Sequence, residues 1–172
     1  MMRFHVRILF LLVLFCCFQL VPVLVINSNA DGKAGTFTGT WVANGSKETL
    51  PFGANREAFL FKLSGHVNLQ DKVGSESDYW SQCIGLADTE TGSTVRCSWA
   101  DSAGTKIFLI LKGEGLSRGS SVTGEIIGGT GAAEGISGRI TFKWSSMATH
   151  SVNDNTSVGG YAKELSGTYK LP

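Results

Sequence analysis

The sequence lacks an excess of charge of either sign. Its 172 residues carry 15 lysines and arginines against 14 aspartates and glutamates. Without Arg3 and Arg7, the two arginines that precede position 31, the balance is 13 basic residues against 14 acidic ones. A surface this close to neutral offers no basic field to a phosphate backbone. We therefore expect no nucleic acid among the partners of this protein.

Residues that commonly hold metals or carry out catalysis are also scarce. The chain has no Cys-x-x-Cys pair, and only His66 and His150 follow position 30, which is too few to guarantee a metal site. Residues 115–119 spell Gly-Leu-Ser-Arg-Gly, the pattern of a hydrolase nucleophile elbow, but that elbow requires a helix after the serine and a strand is predicted here. We assign neither a metal ligand nor a catalytic residue.

The first 30 residues have the pattern of an export signal. Arg3 and Arg7 precede a run of 19 largely apolar residues at 8–26, and Ser-Asn-Ala at 28–30 puts small residues where a signal peptidase reads. This pattern predicts a signal peptide over residues 1–30, one domain over residues 31–172, and a secreted or periplasmic protein. The alternative is an uncleaved anchor, because 19 apolar residues just span a bilayer. That segment would then be the only contact with a membrane.

After residue 30 no apolar pattern with a helical period persists over three turns. Apolar and polar residues instead alternate with the period of a strand, between clusters of glycine, asparagine, aspartate and serine. The predicted strands lie near residues 37–41, 59–69, 79–87, 94–100, 106–112, 122–127, 136–144 and 158–171. The pattern predicts an all-β fold of seven to nine antiparallel strands, closed into a barrel that hides every strand edge. A two-sheet sandwich is the alternative, and the polar segment 145–157 predicts a surface loop.

A cluster of glycines precedes the seventh predicted strand. The loops that bind phosphates end in Gly-Lys-Ser/Thr or follow the pattern Gly-x-Gly-x-x-Gly before a helix. Here Glu134 stands at the third glycine position of the second pattern, and a strand follows. We therefore interpret Gly128, Gly129, Gly131 and Gly135 as the residues of a sharp structural turn, and we expect no cofactor.

The same stretch carries a resemblance to a known family. Gly-Gly-Thr-Gly at 128–131, the glycines at 135 and 138, and Cys-Ser-Trp-Ala-Asp-Ser-Ala-Gly at 97–104 followed by Ile-Phe at 107–108 resemble the allene oxide cyclase and dirigent barrel superfamily. The bacterial exported members of that superfamily are the most similar, over roughly residues 83–144. The resemblance implies an eight-stranded antiparallel barrel with a central cavity. It implies no activity, because neither the polar pocket residues of the cyclase nor the dirigent catalytic residues can be aligned.

Two cysteines flank a predicted hairpin. Cys83 and Cys97 are equally distant from Glu90, so a symmetric connection places them opposite each other on neighbouring strands, close enough to bridge. In an oxidising compartment this spacing predicts a disulfide. Two buried thiols or a metal pair are the alternatives.

The inward faces of the second and seventh predicted strands indicate what the barrel does. They form an apolar lining without a titratable side chain, and the residues assigned to it are Phe59, Phe61, Leu63, Ile140, Phe142 and Trp144. Because acid–base catalysis needs a positioned proton carrier, we expect binding of a small apolar ligand rather than turnover. An isomerase or cyclase that uses the cavity is one alternative. The other is a filled barrel that acts through its outer surface on another protein or on a second copy of itself.

Overall fold

The structure is a computed structural model that describes residues 32–51, 53–115, 120–147, 150–152 and 155–172. The predicted signal segment lies outside these residues. Within them, no helix is both long enough and apolar enough to cross a membrane.

Nine β-strands make up almost all of the described chain. They are β1 (Ala34–Pro51), β2 (Glu57–Asp71), β3 (Glu76–Asp88), β4 (Gly92–Ala100), β5 (Lys106–Gly113), β6 (Ser121–Thr130), β7 (Ser137–Ser146), β8 (His150–Val152) and β9 (Asn155–Lys170). Each strand pairs antiparallel with its neighbour in the order β1-β2-β3-β4-β5-β6-β7-β9, and β9 pairs back onto β1. The prediction of a closed all-β antiparallel barrel is confirmed, with eight strands in the barrel wall. The sandwich alternative is wrong.

One predicted connection is strand at most of its described residues. The polar segment 145–157 was expected to be a surface loop, but β7 continues to Ser146 and the short β8 pairs with the beginning of β9. The prediction failed because it rested on polar side chains. Strand pairing is made by the backbone, and a serine- and threonine-rich segment can pair when a neighbouring strand is available.

The glycine cluster spans the end of β6 and the turn to β7, because Gly128 and Gly129 still pair with β5 whereas Gly131 and Gly135 follow β6. Gly128, Gly131 and Gly135 have φ angles of 152°, 61° and 73°, a region that glycine reaches without steric cost. Gly129 lies in close contact with β5, since a Cβ at that position would lie 2.5 Å from the carbonyl oxygen of Lys106. A single turn of 3₁₀ helix at residues 131–133 is followed by β7. The cluster therefore forms a corner between two strands.

The two ends of the barrel differ. At one end, which we call the closed end, lie the turns at residues 72–75, 101–105 and 131–136, and apolar side chains fill the interior. The buried residues there are Phe37, Leu69, Trp99, Ile107, Ala133, Ile136 and Leu165. At the other end, which we call the mouth, lie the turns at residues 53–56 and 89–91.

Trp41 on β1 occupies the middle of the barrel. Its indole Nε1–H donates a hydrogen bond of 2.8 Å to Ser81 Oγ, and the Ser81 hydroxyl donates one of 3.0 Å to the Gly65 carbonyl. The indole ring makes edge-on contacts with three aromatic rings, those of Trp99, Phe142 and Trp144. This buried, hydrogen-bonded ring separates the filled half of the interior from the half that opens at the mouth.

Candidate functional site

A cavity of about 670 Å³ lies inside the barrel and opens at the mouth. The part of its wall farthest from the mouth is apolar, with Trp41, Val95, Leu111 and Phe142 nearest the centre of the barrel. Among the described residues, five aromatic side chains line it, namely Trp41, Phe59, Phe61, Phe142 and Trp144. A cavity of this volume can take up one small organic molecule.

The period-two alternation of β2 places its aromatic side chains in the cavity. Phe59, Phe61 and Leu63 point inward, and each is half-buried because the cavity leaves one side of it uncovered. Phe61 lies opposite Gly85 of β3, and a Cβ on Gly85 would lie 2.5 Å from the Phe61 ring. The glycine thus makes room for the ring to lie against β3.

Five of the six side chains assigned to the lining from sequence lie at the cavity. Phe59, Phe61, Leu63, Phe142 and Trp144 line it. Ile140 does not, because it is only 1% exposed and packs in the core two residues further toward the closed end.

Sequence reasoning missed other residues of the wall. Trp41, Val95, Leu111, Val122 and Val158 also line the cavity. Each is on a strand that was predicted, and the period-two pattern of its strand marks its inward face. Their height along the barrel axis depends on how the strands pair, and the pattern within one strand does not contain that information.

A disulfide joins Cys83 of β3 to Cys97 of β4 inside the barrel. The two residues are direct cross-strand partners with their Cα atoms 4.2 Å apart, which is the close spacing of a non-hydrogen-bonded antiparallel pair. Both cysteines are buried, and Cys83 contributes to the wall of the cavity. Disulfides persist in oxidising compartments, so this bond points to a location outside the cytoplasm.

Three carboxylates of the described residues lie where the cavity opens. Glu57 begins β2, Asp88 ends β3 and Glu114 follows β5, so these three carboxylates lie at strand ends at the mouth. Lys47 of β1 also lines the cavity, and its Nζ lies over the Phe59 ring, 5.1 Å from the centroid.

Arg56 anchors one of these carboxylates. Its guanidinium lies 2.9 Å from Asp88 Oδ2 and 3.2 Å from Glu90 Oε2. The hydrogen bond from Arg56, together with that from the backbone N–H of Glu90, holds the pKa of Asp88 below its ordinary value. Asp88 therefore carries a negative charge at the mouth at neutral pH.

The polar faces of β2 and β7 point away from the cavity. Lys62, His66, Arg139 and Lys143 are exposed on the outer surface. The His66 ring packs edge-on against Trp80, with 4.9 Å between centroids, and Lys143 pairs with Glu164. Among the residues that the structure describes, no three His, Cys, Asp or Glu side chains come together as metal ligands.

Comparisons with models of protein families, with curated proteins and with solved structures found no match to this chain.

Proposed function

We propose that this protein is an exported binding barrel that holds one small, largely apolar molecule in its cavity without converting it. The observation that carries the proposal is the cavity wall, where five aromatic rings of the described residues surround about 670 Å³ and the three described carboxylates of the lining lie at strand ends at the mouth. An isomerase or cyclase, the alternative, would need a proton carrier beside the reacting atoms. Deep in the wall, the described side chains are apolar or belong to the disulfide.

We also infer kinship with the allene oxide cyclase and dirigent barrels, most closely with bacterial exported members. Two features support this inference, the closure of eight antiparallel strands and the Gly-Gly-Thr-Gly corner at residues 128–131. Export to the periplasm or the medium is supported by the buried disulfide and by the signal pattern of residues 1–30.

The outer surface offers a second candidate function, contact with another protein or with a second copy of this chain. Several apolar side chains on the outer face of the sheet are exposed to solvent, namely Leu60, Ile84, Leu86 and Ile127. Such side chains on one face of a sheet are typical of an interaction surface when they form a continuous patch. Leu60 and Leu86 are direct cross-strand partners.

Substitutions at two neighbouring residues of β2 distinguish ligand binding in the cavity from a role of the outer surface. We expect the protein to bind N-phenyl-1-naphthylamine, a neutral dye that fluoresces in apolar surroundings. Phe61→Asp should weaken this binding at least about tenfold, because a carboxylate in the cavity wall would lose its water when the dye enters. The matched variant Leu60→Asp, which changes an outward side chain that is 42% exposed, should leave the dye affinity within about twofold. Fluorescence titration gives both affinities, and circular dichroism checks that each variant is folded.

The opposite outcome contradicts the proposal. If the wild-type protein does not bind the dye, or if Leu60→Asp weakens binding as much as Phe61→Asp, the cavity is not the binding site. A change in oligomeric state caused by Leu60→Asp alone would favour the outer surface.

A further inference from the structure

We propose that the molecule bound in the cavity carries a positive charge, so that the ligand is an organic cation, a protonated or quaternary amine with an apolar body. This inference rests on the proposed function, because it concerns the charge of whatever enters the same cavity.

The first observation is the charge at the mouth. Among the described residues, three carboxylates line the cavity, those of Glu57, Asp88 and Glu114, against one ammonium, that of Lys47. Arg56 and Glu90 lie beside them and add one charge of each sign, and the Arg56 guanidinium pairs with both Asp88 and Glu90. The described side chains at the mouth therefore have an excess of negative charge, on a chain that is otherwise close to neutral. A cleft lined by one sign of charge raises the local concentration of ligands of the other sign.

The carboxylates lie on one side of the mouth. The backbone of Glu57 and the turn after β3 are joined by two hydrogen bonds, from Thr89 N to the Glu57 carbonyl and from Glu57 N to Thr89 Oγ1. The end of β5 packs on the same turn, since a Cβ on Gly115 would collide with the carbonyl oxygen of Glu90. Glu57, Asp88 and Glu114 thus come from three neighbouring segments that are held together by backbone contacts.

The second observation is the aromatic wall. A cation is stabilised over the face of an aromatic ring, and the Lys47 ammonium already lies over the Phe59 ring. The other four rings, those of Trp41, Phe61, Phe142 and Trp144, line the space next to it. An ammonium group on a ligand would lie between the aromatic rings of the wall and the carboxylates of the mouth, whereas a ligand carboxylate would meet three like charges against the two cations of Lys47 and Arg56.

Three probes of similar shape test the charge preference. Displacement of N-phenyl-1-naphthylamine is measured with benzyltrimethylammonium, with its neutral carbon isostere neopentylbenzene, and with the anion 4-phenylbutyrate. We expect the cation to displace the dye at a concentration at least about tenfold lower than the neutral isostere, and the anion to be the weakest. The advantage of the cation should shrink as the ionic strength rises, because exposed charges are screened by salt.

Three substitutions at the mouth assign the preference to this site. Glu57→Gln and Glu114→Gln should each weaken binding of the cation by about three- to tenfold, a larger change than either causes in the affinity for the neutral dye. Lys47→Met removes the like charge and should strengthen binding of the cation. The control is Glu125→Gln, because Glu125 is exposed on the outer face opposite Arg139 and its loss should have no effect.

The outcomes separate this inference from the proposed function. If the dye itself does not bind, the proposed function fails. If the dye binds and the three probes displace it equally, only the charge preference is wrong. If the anion binds more tightly than the cation, and Lys47→Met weakens binding of the anion, Lys47 holds an anionic ligand and the inference is overturned.

Discussion

Trp41→Ala is expected to lower the free energy of unfolding by about 3 to 5 kcal/mol, the cost of deleting a large buried aromatic side chain. The indole is only 3% exposed and packs edge-on against Trp99, Phe142 and Trp144. Its removal also deprives Ser81 of its hydrogen-bond donor at the centre of the barrel. Urea-induced unfolding, followed by circular dichroism, measures the change.

Trp80→Ala is the matched control for this substitution. Trp80 is 45% exposed on the outer face of β3, where it packs against His66. Its loss should cost less than about 1 kcal/mol, because nearly half of the Trp80 side chain is already in contact with water and its removal leaves no cavity in the core. Equal losses of stability in the two variants would mean that the buried contacts of Trp41 at the centre of the barrel stabilise the fold no more than the exposed contacts of Trp80 do.

The double variant Cys83→Ala/Cys97→Ala should lose about 3 kcal/mol of stability, because the disulfide closes a loop of about 15 residues and restricts the unfolded chain. Both sulfurs are enclosed by the barrel, so the effect should be the same at low and high ionic strength. Unfolding in urea gives the size of the loss, and peptide mapping without reduction should recover the two cysteine peptides as one linked species from the wild-type protein.

Two results would contradict this prediction. If both cysteines of the native, unreduced protein are alkylated, the bond is absent in solution. If the linked protein and the double variant unfold at the same urea concentration, the bond contributes nothing to stability.

The barrel itself could be predicted from the sequence because the pattern that indicates each strand lies within the residues of that strand. Alternation with period two along residues 59–69 and 136–144 fixes which side chains face inward, and the structure agrees for Phe61 and Phe142. Hairpin symmetry around Glu90 likewise placed Cys83 opposite Cys97.

What could not be predicted is the height of a residue along the barrel axis. Ile140 and Phe142 face the same way on β7, yet only Phe142 lines the cavity. The difference depends on the partners of each residue, since Ile140 lies opposite Gly124 and Gly167 in the filled part of the interior. The pairing register between strands that are distant in the sequence sets this height. The residue pattern of a single strand does not reveal it.

The charged mouth was missed for the same reason. Glu57, Asp88 and Glu114 stand at the ends of three different strands, and each has the sequence context of an ordinary surface residue. Closure of the barrel brings them to one opening. Lys47 was missed as well, because β1 continues beyond the predicted strand at residues 37–41 to Pro51.

The central claim is that the interior is open at one end and receives a ligand there. A crystal structure of the protein with N-phenyl-1-naphthylamine bound tests it most directly. We predict that the dye lies inside the barrel, between Phe61 and Phe142 and above Trp41, with the closed end filled by side chains. An interior packed with side chains at both ends, or dye bound only on the outer face beside Leu60, would contradict the claim.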